Sequence, residues 1–263
     1  MAAEGRCVWV YGIAADGQAA AVDGTVGVGG GRVRLLRTAG LTAIVGDVGQ
    51  PEFDAAALRS NLEDLDWLAM TARAHHAVIG AVAAQHPVVP LRLATVYDCD
   101  LGVAEMLRHR AADLREALDR VTARSEWGVK AYVSEGAGQD LRTEDRPADA
   151  DGRATGPGAA YLQQRRAQLT ARKTARDEAM ASVQAIRAEL GPLSVATRLH
   201  PPQSPELTGE RAPMLLNAAY LVADEWADQF TAAVTDLAGR HPAVRLTLTG
   251  PWPAYSFVGD PGS

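Results

Sequence analysis

The order of strand-like and helix-like patterns in the second half of the chain limits its fold more than any other feature. From residue 127 onward the order is β-α-β-β-α-β, with Trp127–Val133 as the first strand and a long helix over about 158–190 that ends at Gly191-Pro192. An antiparallel sheet with two helices on one face is typical of this order, which is called ferredoxin-like. We therefore predict an α+β domain of this type.

The first half repeats the order without its first crossover helix. Cys7–Ile13, Val33–Leu36 and Leu41–Val45 have the β-prone composition of strands, and Val88–Tyr97 predicts a further one. Where the crossover helix would stand, Gly24–Gly31 carries five glycines. The first domain is therefore predicted to be a modified ferredoxin-like domain that lacks this helix.

Two helices are predicted in the first half, over 54–85 and over 101–123. In the first of them, apolar residues recur at helical spacing and are expected to face a core. These residues are Leu58, Leu62, Leu65, Ala69, Ala72, His76 and Ile79. Of the two adjacent histidines, we place His76 in the core and His75 at its boundary.

These patterns divide the chain into an N-terminal domain, residues 1–124, and a C-terminal domain, residues 125–263. Residues 134–159 contain almost no large apolar side chain, so they cannot offset the entropy lost on ordering. We expect them to form a mobile loop before the long helix. Residues 250–263 form a tail after the last strand.

The tail concentrates aromatic residues in a stiff backbone. Only 5% of the chain is aromatic, yet Trp252, Tyr255 and Phe257 stand within six residues, next to Pro251 and Pro253. Rigid aromatic side chains bury a large area at a small entropic cost. The tail is therefore predicted to dock, with Trp252 and Phe257 buried against the folded body.

Composition excludes several classes of protein. A net charge of −6 argues against a nucleic-acid partner, since such binding depends on contacts with phosphate. No apolar run approaches the ~18 residues that indicate a membrane span. The two cysteines, Cys7 and Cys99, form no metal or redox motif, so we expect the reduced cytoplasm to be the compartment.

The sequence motifs indicate no catalytic chemistry, metal or cofactor. Gly27–Arg32 resembles a nucleotide loop, but arginine replaces the third glycine and a strand pattern follows where a helix is required. His75 and His76 are adjacent, so on a helix they point about 100° apart and cannot share a metal. Asp149–Gly152 begins like a calcium loop without the later ligands and is predicted to be a solvated acidic loop. We therefore expect that the chain is not an enzyme.

The long helix carries the candidate partner-binding residues. Five cations lie within about 120° of the helical wheel and form what we call the basic face: Arg165, Arg166, Arg172, Lys173 and Arg176. Leu162, Leu169 and Met180 share this sector, while alanines occupy another. In one interpretation the alanines rest on the sheet and the arginine stems cover Leu162 and Leu169. In the other, the basic face binds an acidic, amphipathic protein partner.

Taken together, segments along nearly the whole chain resemble the gas vesicle protein F/L family (GvpF/GvpL). The ending, Gly250–Val258, is the strongest match. Two positions depart from the family pattern: Leu93-Ala94 replaces a frequent Phe-Gly, and Ala254 replaces a common proline. The other matching segments are Val10–Ile13, Leu41–Asp47, His75-His76, Val89–Tyr97, Glu126–Val133, Tyr161-Leu162 with the basic helix, and Leu215–Val222.

The resemblance implies an accessory protein of gas vesicles in a prokaryotic cytoplasm. Such proteins are needed to assemble the gas-filled protein shell, and their partners are the major shell protein and other accessory proteins. Two alternatives of other classes stay open on the residues alone. One is an enzyme with an unrecognised cleft, for which His75, His76 and His86 would have to converge. The other is an RNA-binding ferredoxin-like module, against which the negative charge and the few aromatic residues argue.

Overall fold

The structure of the chain is a computed structural model that describes residues 5–17, 22, 24–134, 157–204, 209–210 and 212–259. Its contacts group the residues into two compact units. Unit 1 comprises Met1–Glu126 together with Gly250–Ser263, and unit 2 comprises Trp127–Thr249. Each unit is built on one β-sheet with its own helices.

The sheet of unit 1 has five strands: β1 (Arg6–Ala15), β2 (Val33–Thr38), β3 (Leu41–Gly49), β4 (Val89–Pro90) and β5 (Val96–Tyr97). The strand order is β2-β3-β1-β4, β5 also pairs with β1, and every pairing is antiparallel. The single strand predicted over 88–97 is thus two short strands. A turn in which Ala94 has φ of 63° separates them.

The described part of unit 1 contains five helices, because each of the two predicted ones is divided in two and a short further helix precedes them. A break before Leu65 divides the first, and the side chains of Asp54 and Asp64 accept hydrogen bonds from backbone N–H groups at the starts of α2 and α3. A break at Arg110 divides the second. The helices are α1 (Gln50–Phe53), α2 (Ala55–Asn61), α3 (Leu65–Ala83), α4 (Asp100–His109) and α5 (Ala111–Val121).

A β-bulge in β1 sets which side chains face each side of this sheet. Val10 pairs with Val45 and Gly12 with Ile44, so Tyr11 is an extra residue on its strand. Both faces of the sheet are nevertheless buried. Trp9 and Tyr11 pack with residues of α3 on one face, while residues of α4 and α5 cover the other. The second helical layer was not predicted.

As predicted, the described residues between β1 and β2 contain no crossover helix, and a 3-10 turn, Val28–Gly30, stands in its place. The Tyr11 hydroxyl holds this turn by accepting a hydrogen bond from the Val28 N–H at 2.8 Å. Glycine is required at position 27, because a Cβ atom there would overlap the Tyr11 hydroxyl. The glycine-rich segment therefore allows a close approach to an aromatic ring that lies in the core.

The buried side of α3 differs from the predicted one. The buried residues are Thr71, His75, Val78, Ile79 and Val82. Of the predicted core positions, only Ile79 belongs to this set, and Leu65 is 70% exposed. The histidine assignment is also reversed, since His75 is buried and His76 is half-buried. Apolar residues occur nearly all round α3, so their spacing alone does not select the face that packs.

Unit 2 has the predicted ferredoxin-like order of elements. They are β6 (Arg124–Val133), α6 (Pro157–Leu190), β7 (Ala196–Leu199), β8 (Met214–Ala223), α7 (Ala227–Arg240) and β9 (Val244–Trp252). The strand order is β7-β8-β6-β9, and the core of the unit joins residues of α6 and α7 to the sheet. The strands of unit 1 follow the same 2-3-1-4 order, so both sheets have ferredoxin-like topology.

The limits of the units differ from the predicted domains at the chain's end. The sequence places residues 250–263 in the C-terminal domain, whereas their contacts place them in unit 1. The tail packs against helices that precede it by more than a hundred residues, and no sequence pattern specifies such a contact. The predicted loop 134–159 lies mostly outside the described residues.

Candidate partner-binding surfaces

His75 is a buried titratable group of unit 1, and its surroundings make it a structural residue. The Trp9 Nε1–H donates to His75 Nδ1 at 2.9 Å, so the other ring nitrogen, Nε2, carries the proton and donates to the Leu91 carbonyl at 3.1 Å. Burial lowers the pKa of His75 to about 4. Both ring nitrogens are occupied inside the core, which leaves none for a substrate.

The other candidate histidines do not form a catalytic cluster with His75. His76 contacts the tail, and His86 follows the end of α3. Two cavities of about 490 and 530 Å³ lie at one end of the unit 1 sheet, and Arg6 and Asp47 line both of them. No histidine lines either cavity. Among the described residues no group of three or more His, Cys, Asp or Glu is arranged to hold a metal ion.

A charge network of unit 1 lies beside these cavities, and the sequence did not predict it. Arg34 donates to Asp47 and Asp100, with its Nη2 atom 2.7 Å from a carboxylate oxygen of each. These bonds join β2 to β3 and to the first turn of α4. The sequence of β2 shows only that Arg34 is a polar position on the strand. It gives no indication that Arg34 contacts Asp100, which is distant in the chain.

Within unit 1, the tail contacts His76, Glu126 and Arg120. The Trp252 ring lies edge-on to His76, with 5.2 Å between centroids, and the Tyr255 hydroxyl shares a hydrogen bond with His76 Nδ1 at 3.3 Å. The Glu126 carboxylate accepts hydrogen bonds from the N–H and hydroxyl of Ser256, both at 2.7 Å. Arg120 donates to the Phe257 carbonyl at 3.2 Å.

Burial in the tail is uneven. Phe257 is buried, with 8% of its surface exposed, whereas Trp252 remains 42% exposed. The expectation that both rings are buried thus describes Phe257 and does not describe Trp252. Tyr255 is half-buried, and burial, together with the nearby charge of Glu126, raises the pKa of its hydroxyl. The hydroxyl therefore remains protonated at neutral pH.

The first buried side chain among those described in the long helix α6 is Ala175. Its 34 residues span roughly 50 Å at 1.5 Å per residue. Side chains are described for 165–166, 169–171 and 173–190, and the first buried one is Ala175. Ala179, Val183 and Ile186 follow in the core of unit 2. The described side chains before Ala175 are exposed or half-buried.

The described residues of the basic face stand on both sides of Ala175, with Arg176 directly after it. Arg165, Arg166, Lys173 and Arg176 are exposed, and the side chain of Arg172 is outside the described residues. Leu169, at the centre of the face, is 56% exposed, so the arginine stems do not bury it. The interpretation in which they cover Leu162 and Leu169 therefore does not fit Leu169. Leu162 and the acidic loop at Asp149–Gly152 lie outside the described side chains.

The sequence matches known proteins along almost its full length. Residues 7–259 match the family described as gas vesicle synthesis protein GvpL/GvpF. The chain is 40% identical to gas vesicle protein L of Streptomyces sp. (strain CB03234) over 254 residues, which cover 97% of this chain and 93% of that protein. It is 29% identical to gas vesicle protein F of the same organism, over 95% of this chain and 98% of that protein.

Two crystal structures share the fold. Gas vesicle protein GvpF from Anabaena sp. PCC7120 aligns with a TM-score of 0.64 at 20% identity, over 97% of this chain and 96% of that one. GvpF from Microcystis aeruginosa aligns with a TM-score of 0.62 at 18% identity, over 96% and 99%. None of the helices in the described part of the chain is long and apolar enough to span a membrane.

Proposed function

Since the chain belongs to the gas vesicle protein GvpL/GvpF family, we propose that it is an accessory protein of gas vesicle assembly that binds the major shell protein. A shell that encloses gas needs an apolar inner surface, and its free subunits expose that surface before they assemble. Exposed apolar patches of this size promote aggregation. A protein that binds the free subunits in the cytoplasm and at the growing vesicle would favour ordered assembly.

The described residues of the basic face of α6 support this proposal. Four described cations surround Leu169, and together they present an apolar centre with a charged rim to the solvent. This arrangement matches the general composition of protein interfaces. Its complement is an acidic, amphipathic segment, which we assign to the shell protein or to another accessory protein of the vesicle.

Charge reversal tests the proposal. The triple variant Arg165→Glu, Lys173→Glu, Arg176→Glu should lose binding to co-expressed shell protein in a pull-down, because like charges would then face each other. Exposed cations contribute little to stability, so the melting temperature should change little. Binding of the unchanged protein should also weaken as salt concentration rises.

A matched control carries the same change of charge elsewhere. The variant Arg37→Glu, Arg59→Glu, Arg108→Glu alters three exposed arginines of unit 1 and should bind as the parent does. If the α6 triple variant misfolds, Leu169→Ser removes the exposed apolar centre without changing charge and should lower binding by itself. Undiminished binding by a folded α6 triple variant would overturn the assignment of this face.

A further inference from the structure

The cavity of about 530 Å³ at the end of the unit 1 sheet is lined by more positive than negative side chains. Arg6, Arg32 and Arg34 contribute three cations, and Asp47 contributes the one carboxylate among the described lining residues. The described lining therefore has an excess of two positive charges. Its other residues are Gly5, Gly31, Val48 and Gly49.

Strand alternation places the four charged side chains on one face of the sheet. Asp47 lies opposite Val8 in the pairing of β1 with β3, and Val8 belongs to the core on the side of α4 and α5. Arg6 is two residues before Val8, and residues two positions apart on a strand point to the same face. Arg34 shares this face because it bonds to Asp47, and Arg32 is two residues before Arg34 in extended backbone.

Arg6 and Arg32 are available for a ligand, whereas Arg34 is not. The Nη2 atom of Arg34 is 2.7 Å from a carboxylate oxygen of both Asp47 and Asp100, so the carboxylate that lines the cavity is already paired. The exposed guanidinium groups of Arg6 and Arg32 form no hydrogen bond or ion pair with any residue that the structure describes. They therefore present donors and positive charge to the cavity.

The neighbouring cavity, which Arg6 also lines, adds two carboxylates that do not neutralise this pair of arginines. Asp100 is bound by Arg34. Asp98 is close to Cys7, whose side chain belongs to the core on the side of α3. Burial and, to a lesser degree, the charge of Asp98 raise the pKa of the Cys7 thiol. Neither carboxylate forms an ion pair with Arg6.

The backbone holds both arginines in place and leaves space beside them. Arg6 pairs with Gly49 between β1 and β3, and Arg32 takes part in a β-bridge. A Cβ atom at Gly31 would overlap the Asp47 carbonyl oxygen, so glycine lets the segment before Arg32 lie directly against β3. At Gly49, in contrast, the nearest atom to such a Cβ would be 3.9 Å away, which leaves room beside Arg6.

We propose that Arg6 and Arg32 bind the phosphate or diphosphate group of a small molecule in this cavity. A phosphate group has about two negative charges near neutral pH and three acceptor oxygens, which suits two guanidinium groups. Each guanidinium can donate two parallel hydrogen bonds to it. The cavity volume lies in the range of small-molecule sites, so it accommodates more than the phosphate alone. This site is separate from the basic face of α6 and does not depend on the proposed function.

Calorimetric titration of the full chain with pyrophosphate at low salt tests the site. The double variant Arg6→Gln, Arg32→Gln should bind at least about tenfold more weakly than the parent, because charge-assisted hydrogen bonds are lost. Its melting temperature should change little, since both side chains are exposed. The control Arg59→Gln, Arg108→Gln removes the same charge from exposed arginines that do not line the cavity and should bind as the parent does.

A second variant tests the cavity without changing its charge. Gly49 has φ of −71° and ψ of 122°, which any residue can adopt, so Gly49→Val adds a side chain beside Arg6 without straining the backbone. It should weaken pyrophosphate binding several-fold while the melting temperature is kept. Unchanged affinity in this variant would reject the cavity as the binding site.

Parallel titrations with ADP and succinate identify the group that is recognised. Tighter binding of ADP than of pyrophosphate would support an organic phosphate as the ligand, and equal affinity would support the free anion. Succinate, which has two carboxylates, should bind more weakly, and equal binding of succinate would reject phosphate recognition. The proposal would also be overturned if the parent bound neither pyrophosphate nor ADP at millimolar concentration, or if the double variant bound as tightly as the parent.

Discussion

At the scale of single residues, the buried imidazole of His75 links the stability of unit 1 to pH. Its pKa is about 4 in the folded protein, because of burial, against about 6.5 in an unfolded chain. Between pH 6.5 and pH 4, unfolding therefore takes up a proton on His75. The contribution of the neutral, buried imidazole to the free energy of unfolding is complete above pH 6.5 and is lost as pH falls through 4. The free energy involved is at most about 3 kcal/mol.

This prediction is checked by comparing the pH dependence of two proteins. His75→Gln cannot titrate but keeps one acceptor and one donor for Trp9 and Leu91. The parent should lose more stability than the variant between pH 6.5 and 4, as measured by urea unfolding. Parallel pH profiles would mean that His75 does not carry the effect.

Ala94 holds a backbone conformation that suits glycine. Its φ is 63°, in the left-handed region that costs an L-residue roughly 1 kcal/mol. Ala94→Gly should therefore raise the free energy of unfolding by about 0.5 kcal/mol, after the greater freedom of glycine in the unfolded chain is subtracted. The same change at Ala77, an exposed position within α3, should lower it by about 1 kcal/mol. Thermal unfolding of both variants tests whether the two changes in the free energy of unfolding have opposite signs.

Individual positions show where sequence reasoning stops. The left-handed backbone at Ala94 favours glycine, and an alanine in the sequence gives no sign of that conformation. The reversed assignment of His75 and His76 has a different cause, since adjacent helical residues point in different directions and only the packing of α3 decides which is buried. The hydrogen bonds of His75 join residues far apart in the chain, so no local pattern reveals them.

At the scale of elements, the uneven burial of the tail predicts unequal effects of its two large rings. Phe257→Ala should lower the free energy of unfolding by about 3 kcal/mol or more, because it leaves a cavity at a buried site. Trp252→Ala should cost about 1 kcal/mol, since much of its ring is already in water. Melting temperatures test the order, and a larger loss for Trp252 would contradict it.

Elements that have one strong sequence pattern were predicted well. For elements that pack against a sheet covered on both faces, the face that they cover was not predicted. The end of α6 at Leu190 follows from Gly191-Pro192, and the glycines of Gly24–Gly31 stand where the described part of unit 1 has no crossover helix. The basic pattern of α6 is clear in the sequence, but the sequence does not reveal that Ala175 is the first buried side chain among those described. Nor do the apolar residues of α4 and α5 indicate which face of the sheet they cover.

At the scale of the whole molecule, unit 1 is discontinuous in sequence, and this can be tested by truncation. A chain that ends at Thr249 lacks the contacts of the tail with His76, Arg120 and Glu126. Its amide hydrogens in α3 and α5 should exchange faster than in the full chain, while those of α7 and β8 keep their protection. Equal loss of protection in both units would reject this division of the chain.

The fold class and the repeated strand order could be predicted, because alternating patterns specify the order of elements and that order permits few topologies. The unit that the tail joins could not. Gly250-Pro251 marks the start of the tail in the sequence, but composition does not indicate that the chain returns there to unit 1. The contacts that decide it join residues more than a hundred positions apart, so no local pattern specifies them.

The late return of the chain to unit 1 has a consequence for biosynthesis. Domains usually fold in order from the N-terminus as the ribosome makes them. Here the residues from Gly250 onward, which belong to unit 1, are translated after the whole of unit 2. The unit whose synthesis begins first is therefore finished second. Until the tail is made, Glu126 and Arg120 lack the hydrogen bonds that they form with Ser256 and Phe257. The helices that the tail contacts are then accessible to chaperones.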